Sequence, residues 1–231
     1  MNENIRMLVR CCTRAIAGIL LVLVTLAMTV AATPAREATS FSVLFIGNSH
    51  LFVNNVPQRV QERLRSSRGS VQIKTFTRGG AQLASFTRRT DVETALKSRT
   101  WNVVVLQEAS ATFLAPGGSE RFDRSVAWFR KRLPATTQIV LYQTWPWRDG
   151  SRYFKGRASN TRHMWRIMRT AYARIAQQRE VIVAPVGMCW VRSPSQATLY
   201  SADGNHASVA GSRLAARILA ATIAGKVSAE C

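Results

Sequence analysis

Ser49 and His206 are the pair of residues in this 231-residue chain best suited to act together. Ser49 belongs to the run Gly47-Asn48-Ser49-His50, which follows the apolar stretch Phe41–Ile46. A serine at the exit of a first parallel strand sits at the carboxyl edge of a sheet, where its hydroxyl can face a cleft. Gly-Asn-Ser is also ordinary turn chemistry, so the run decides little alone. Near the other end, Tyr200–Ser208 reads Tyr-Ser-Ala-Asp-Gly-Asn-His-Ala-Ser, with Asp203 and His206 three residues apart. On one loop that spacing lets a carboxylate hold one imidazole nitrogen while the other faces a serine hydroxyl. Nucleophile, orienter and base for acyl transfer would then occur in the chain order Ser, Asp, His.

Something must bring these distant blocks together. From Phe41 onward, short apolar runs alternate with longer amphipathic stretches, the pattern of repeated β-α units around a parallel sheet. Five strands are expected, at Phe41–Ile46, Val71–Phe76, Asn102–Gln107, Gln138–Tyr142 and Val181–Ala184. Their Val, Ile, Leu and Phe content suits burial on both faces. Helices are expected near Pro57–Ser67, Asp91–Arg99, Glu120–Leu133, Asn160–Arg179 and Ser208–Ala224, with Pro57 in a first turn and Ser208 as a cap. In the fourth, Met164, Ile167, Met168, Ala171 and Ile175 share one side, opposite a basic stripe of Arg162, Arg166 and Arg169. The long connections Ala109–Ser119 and Thr144–Ala158 both follow strand ends, where open α/β sheets place ligands.

With Gly47-Asn48-Ser49 near its start and Asp203-Gly204-Asn205-His206 near its end, the chain resembles the SGNH (GDSL-like) hydrolase superfamily. The resemblance implies a three-layer α/β/α sandwich with a five-stranded parallel sheet, related to flavodoxin, and hydrolysis of esters without a metal or other cofactor. It also implies a catalytic set of Ser49, Asp203 and His206, and an oxyanion hole built from Ser49, a glycine after the second strand and an amide after the third. Gly80 matches the glycine, with Gly79 as the near alternative. The third position departs from the family's asparagine, because the block reads Val104-Val105-Leu106-Gln107-Glu108, so Gln107 is either a longer-stemmed donor or a structural residue.

Around these, His50, Trp145 and Trp147 are candidates to line the substrate cleft. The tryptophans lie in Thr144-Trp145-Pro146-Trp147 after the fourth strand and could equally pack that loop against the domain. His50 adjoins the nucleophile, and a sequence neighbour usually points elsewhere on a turn, so it is read as lining and not as the base. His163 is read as a surface residue. Only three histidines and no Cys/His cluster give little support to a zinc site.

The N-terminus speaks to location. Arg6, Arg10 and Arg14 precede an apolar run from Ala15 to Ala32, followed by small residues and Pro34. This is the layout of a secretory signal covering residues 1–35. At ~1.5 Å per residue the run would reach ~27 Å, so an uncleaved membrane anchor is the alternative. Either delivers a hydrolase domain at 36–231 to a periplasmic or extracellular setting. There Cys189 and Cys231 can pair or remain two unrelated thiols.

Formal charge is +20, and removing residues 1–35 leaves about +18. Such an excess favours an acidic envelope polymer or an anionic membrane surface as a partner, or simply maintains solubility. Nucleic acid is not expected, since the arginines are spread along the chain without a recognised binding motif. The expected activity is an exported serine esterase acting on a small ester or an acylated polysaccharide, with O-acetyl groups first and lipid esters second. The alternative is a non-catalytic envelope protein of the same fold that binds acidic polymers.

Overall fold

The computed structural model describes residues 40–154, 160–226 and 231, so the expected signal or anchor lies outside the described residues. Strand β1 (Phe41–Gly47) is deeply buried, with Val43 through Ile46 fully inside. Successive side chains leave a strand on opposite faces. Val43 and Phe45 accordingly enter one core cluster, and Leu44 and Ile46 the other. The same alternation holds for Val103 and Val105 against Val104 and Leu106 in β3 (Val103–Gln107), and for Val140 against Ile139 and Leu141 in β4 (Gln138–Tyr142). With β2 (Val71–Thr77) and β5 (Ile182–Ala184) the sheet is five-stranded, entirely parallel, and ordered β2-β1-β3-β4-β5.

After β1 come a single turn, α1 (Ser49–Phe52), and α2 (Val56–Arg68), which holds Pro57 in its first turn. Then follow α3 (Thr90–Lys97), α4 (Gly118–Arg132) and α5 (Thr161–Arg179). Two short helices, α6 (Val186–Arg192) and α7 (Gln196–Leu199), precede α8 (Val209–Ile223). Val56, Val60 and Leu64 of α2 share a core with Ala215, Ala216 and Leu219 of α8 on one side of the sheet. Val92 and Leu96 of α3, Phe122, Val126 and Phe129 of α4, and Met164, Met168 and Tyr172 of α5 cover the other. This is the expected three-layer α/β/α sandwich, because a parallel sheet apolar on both faces must be covered on both.

The starts of α5 and α8 carry side-chain caps: the Asn160 side chain accepts the His163 N–H at 2.9 Å, and the Ser208 hydroxyl accepts the Gly211 N–H at 3.2 Å. Cys189, buried on α6, is disulfide-bonded to Cys231, with Cα atoms 5.1 Å apart. The strand register puts Gly47 beside Thr77, Ile46 beside Leu106, Gln107 beside Tyr142 and Tyr142 beside Ala184. Every strand therefore ends at one edge, where the five exit loops meet.

Candidate active site

The first exit loop is shaped by a close approach. A Cβ at Gly47 would fall 2.8 Å from the Gln107 Cβ and 2.9 Å from a Leu51 methyl, so the position accepts only glycine. Asn48 follows in extended conformation and caps α1, its side-chain oxygen accepting the His50 N–H at 3.1 Å. This makes Ser49 the first residue of a helical turn at the carboxyl edge of the sheet.

The second block folds back as a tight loop between α7 and α8. Tyr200 and Ala207 form an antiparallel bridge, and the Ser201 N–H donates to the His206 carbonyl at 2.8 Å. Within the loop one Asp203 oxygen accepts three donors: the Ser201 hydroxyl at 2.8 Å and the N–H groups of Asn205 and His206 at 3.0 Å each. The other Asp203 oxygen lies 2.6 Å from His206 Nδ1, and His206 Nε2 lies 2.9 Å from Ser49 Oγ. A continuous hydrogen-bonded chain thus joins residues separated by more than a hundred and fifty positions. Partial burial works to raise the Asp203 carboxyl. The Asn205 N–H, the His206 imidazole, the Ser201 hydroxyl and the His206 N–H outweigh it and hold the group well below the usual carboxylate range.

A cleft of about 160 Å³ opens beside Ser49, lined by His50, Gly80, Ala109, Ala111, Trp147 and Tyr153 among others. Gly80, not Gly79, faces it, in the left-handed region at φ +65°. His50 is buried against His206, with ring centroids 5.6 Å apart. Burial and the neighbouring His206 lower its pKa to about 4. Its two ring nitrogens face the Asn48 side-chain oxygen at 3.2 Å and the Asn205 carbonyl at 3.4 Å, while the nitrogen that meets Ser49 Oγ belongs to His206.

No family model matches the chain, and no curated protein is similar to it. Solved structures are: a protein from Slackia heliotrinireducens assigned to the SGNH hydrolases is 32% identical, with 80% of this chain and 99% of that chain aligned at a TM-score of 0.72. The chain belongs to the SGNH hydrolase superfamily. Two structures at lower identity share the fold of this hydrolase. A DUF4886 family protein from Bacteroides uniformis is 21% identical, covering 80% of this chain and 83% of its own, with a TM-score of 0.67. A peptidoglycan O-acetylesterase is 12% identical, covering 81% and 91%, with a TM-score of 0.64. By its membership of that superfamily, shown by the 32% identical relative, the chain is a serine ester hydrolase by class.

Two sequence expectations for this SGNH hydrolase need correction. Gln107 does not offer its amide to the cleft. Its oxygen accepts the Asn48 N–H at 2.6 Å and its nitrogen donates to the Glu108 carbonyl at 2.7 Å, leaving a fully buried strut between β1 and β3. The extra methylene, relative to asparagine, carries the amide back across the strand exits. Trp145 does not line the cleft either. It is fully buried, stacked 3.8 Å from Trp190, and its indole N–H donates to the Asn205 carbonyl at 2.8 Å, bracing the peptide that precedes His206. Trp147 does reach the cleft, beside Tyr153, a residue that nothing in the local sequence distinguishes. Asp149 accepts the Thr161 N–H at 2.6 Å and so anchors the start of α5.

Proposed function

We propose that this SGNH hydrolase is an exported serine esterase that removes short acyl groups, with O-acetyl groups on a polysaccharide as its substrate. The observation that carries the reading is the hydrogen-bonded chain from Asp203 through His206 to Ser49. In the proposed reaction His206 Nε2 takes the proton from Ser49 Oγ as the oxygen attacks the ester carbonyl carbon. Asp203 holds the imidazole and balances the imidazolium that forms. The negative charge that develops on the carbonyl oxygen is met by the backbone N–H groups of Ser49 and Gly80, where one donor is typically worth ~3 kcal/mol. Collapse expels the alcohol, which takes the proton from His206, and leaves an acyl group on Ser49. Water, deprotonated by His206, then releases the acid and restores the serine.

Short acyl chains suit a cleft walled by Gly80, Ala109 and Ala111 and closed by the buried Trp147. Export is supported by the signal-like N-terminus and by the Cys189–Cys231 bond, since disulfides persist in oxidising compartments. The net positive charge favours an acidic polymer as the carrier of the acyl group. The assembled Ser, His and Asp favour catalysis over the non-catalytic, polymer-binding alternative. The test is hydrolysis of p-nitrophenyl acetate together with labelling by a fluorophosphonate probe. Wild type should be active and labelled at Ser49, and Ser49→Ala should lose both; label elsewhere, or an active Ser49→Ala protein, would refute the reading.

A further inference from the structure

The exit of β3 holds a carboxylate that the proposed reaction does not use. Glu108 is 1% exposed, and among the described residues it forms no ion pair. Both its oxygens lie 3.2 Å from the Leu83 nitrogen, the first residue of the 3-10 turn Leu83–Arg88. One of them also accepts the Ala109 N–H at 2.7 Å and the Thr112 hydroxyl at 3.0 Å, at the start of the turn Ser110–Leu114. A single buried carboxylate therefore caps two short helical turns, one of which lines the cleft through Ser110 and Ala111.

Gly80 lies three residues before the first of those turns, and its surroundings explain the arrangement. No atom lies within 4 Å of the point where a Cβ would stand, so side-chain packing does not hold this glycine in place. Its position is set by three anchors on the segment around it. The Arg78 N–H donates to the Gly47 carbonyl at 3.2 Å, the Ala81 carbonyl accepts from the Asn48 amide at 3.0 Å, and the Leu83 N–H is taken by Glu108. Gln107 completes the circuit by joining the Asn48 N–H to the Glu108 carbonyl. An ionised carboxylate is costly to bury without a cation, and desolvation pushes this one up to about 7. A carboxylate nevertheless presents two acceptors where two turns each need one.

We propose that Glu108 is a positioning residue for the oxyanion hole: it holds the Gly80 turn at the distance from Ser49 that the developing negative charge requires. The proposal rests on the serine-esterase reading above. It also explains how the hole is organised without an amide donor from the third strand, since the Gln107-Glu108 pair aligns backbone donors instead of supplying one. Displacement of a catalytic group by ~1 Å can cost ~10²-fold in rate.

The test is kinetic, on Glu108→Ala and on the milder Glu108→Gln, which keeps one acceptor oxygen but turns an amide NH₂ toward the Leu83 N–H. With p-nitrophenyl acetate, kcat should fall ~10²-fold in the first and ~10-fold in the second, with KM within about threefold of wild type. Inhibition by phenylboronic acid, whose serine adduct is tetrahedral and anionic, should weaken in parallel with kcat. A general loosening of the fold would not link those two quantities while sparing KM. Should Glu108→Ala fail to fold, the decision falls to Glu108→Gln. A Glu108→Gln enzyme with unchanged kcat, or one whose kcat drops with boronate affinity intact, would overturn the proposal. If wild type neither turns over esters nor is labelled at Ser49, the esterase reading fails first and takes this one with it.

Discussion

Replacing Asp203 by Asn tests the proposed triad with almost no change of shape. In the native loop one carboxylate oxygen accepts the Ser201 hydroxyl and the N–H groups of Asn205 and His206, and the other faces His206 Nδ1. An asparagine must decide which site keeps its oxygen. If the oxygen stays with the three donors, the NH₂ faces Nδ1, and the imidazole must carry its proton on Nε2, where it cannot accept one from Ser49. If the amide reverses, the imidazole keeps the useful tautomer but two backbone N–H groups lose their acceptor. The Ser201 hydroxyl escapes penalty because it can turn and accept. Each unsatisfied N–H costs about 1–3 kcal/mol, so the useful arrangement lies about 2–6 kcal/mol above the other. That corresponds to a population lowered by between ~30-fold and ~10⁴-fold. Loss of the negative charge beside the imidazolium adds to this, placing the expected fall in kcat near 10³–10⁴, the range typical of such a change. The assay is the steady-state rate on p-nitrophenyl acetate, with thermal unfolding as the control for the loop, which keeps all three of its internal bonds. A folded Asp203→Asn enzyme within tenfold of wild type would refute this assignment of roles.

Further outcomes are expected elsewhere in the molecule. Glu108, raised from 4.5 to about 7, favours its proton in the folded chain, so its contribution lowers stability as pH rises across that window. His50, lowered from 6.5 to about 4, has the opposite slope, each effect being worth about 3 kcal/mol. Arg121 and the Tyr172 phenol act on Glu108, and His206 and Asp203 on His50. Urea unfolding between pH 4.5 and 6.5 should therefore show stability rising with pH in Glu108→Gln and falling with pH in His50→Asn; equal slopes in the two variants would contradict the assignment. Trp145→Phe keeps a ring against Trp190 but leaves the Asn205 carbonyl with only the 3.4 Å contact to His50. A loss of about 1–3 kcal/mol by chemical denaturation, accompanied by a lower kcat, is expected. Reduction of Cys189–Cys231, which closes a 42-residue separation, should cost about 4 kcal/mol on the chain-entropy account. An unchanged melting temperature in dithiothreitol would show that the bond contributes nothing to stability.

The sandwich was legible in the amino-acid sequence because its determinants are local. Apolar runs such as Val103–Leu106 and Ile139–Leu141 bury both faces of a strand wherever they occur, and the periodic Met164, Met168 and Ile175 define one face of a helix at any position. All five strands and five longer helices lie within a few residues of where the pattern puts them, and Ser208 caps the last helix as its hydroxyl suggests. The three residues joined by hydrogen bonds at the sheet edge were likewise nameable, since Gly47-Asn48-Ser49 and Asp203-Gly204-Asn205-His206 each carry their geometry in a short loop. The short helices α6 and α7, having too few residues to show a period, left no such trace.

What tertiary structure decided were directions and pairings at the strand exits. Whether Gln107 reaches the cleft depends on the Asn48 N–H, a donor 59 positions away. Whether Trp145 meets substrate depends on Trp190 and the Asn205 carbonyl, and the use of Glu108 depends on a free N–H at Leu83. The Cys189–Cys231 bond depends on where the chain returns after α8. A side chain leaving the end of a strand has several rotamers of similar energy. The partner that selects among them is supplied by a different loop, which is near it only once the sheet has assembled.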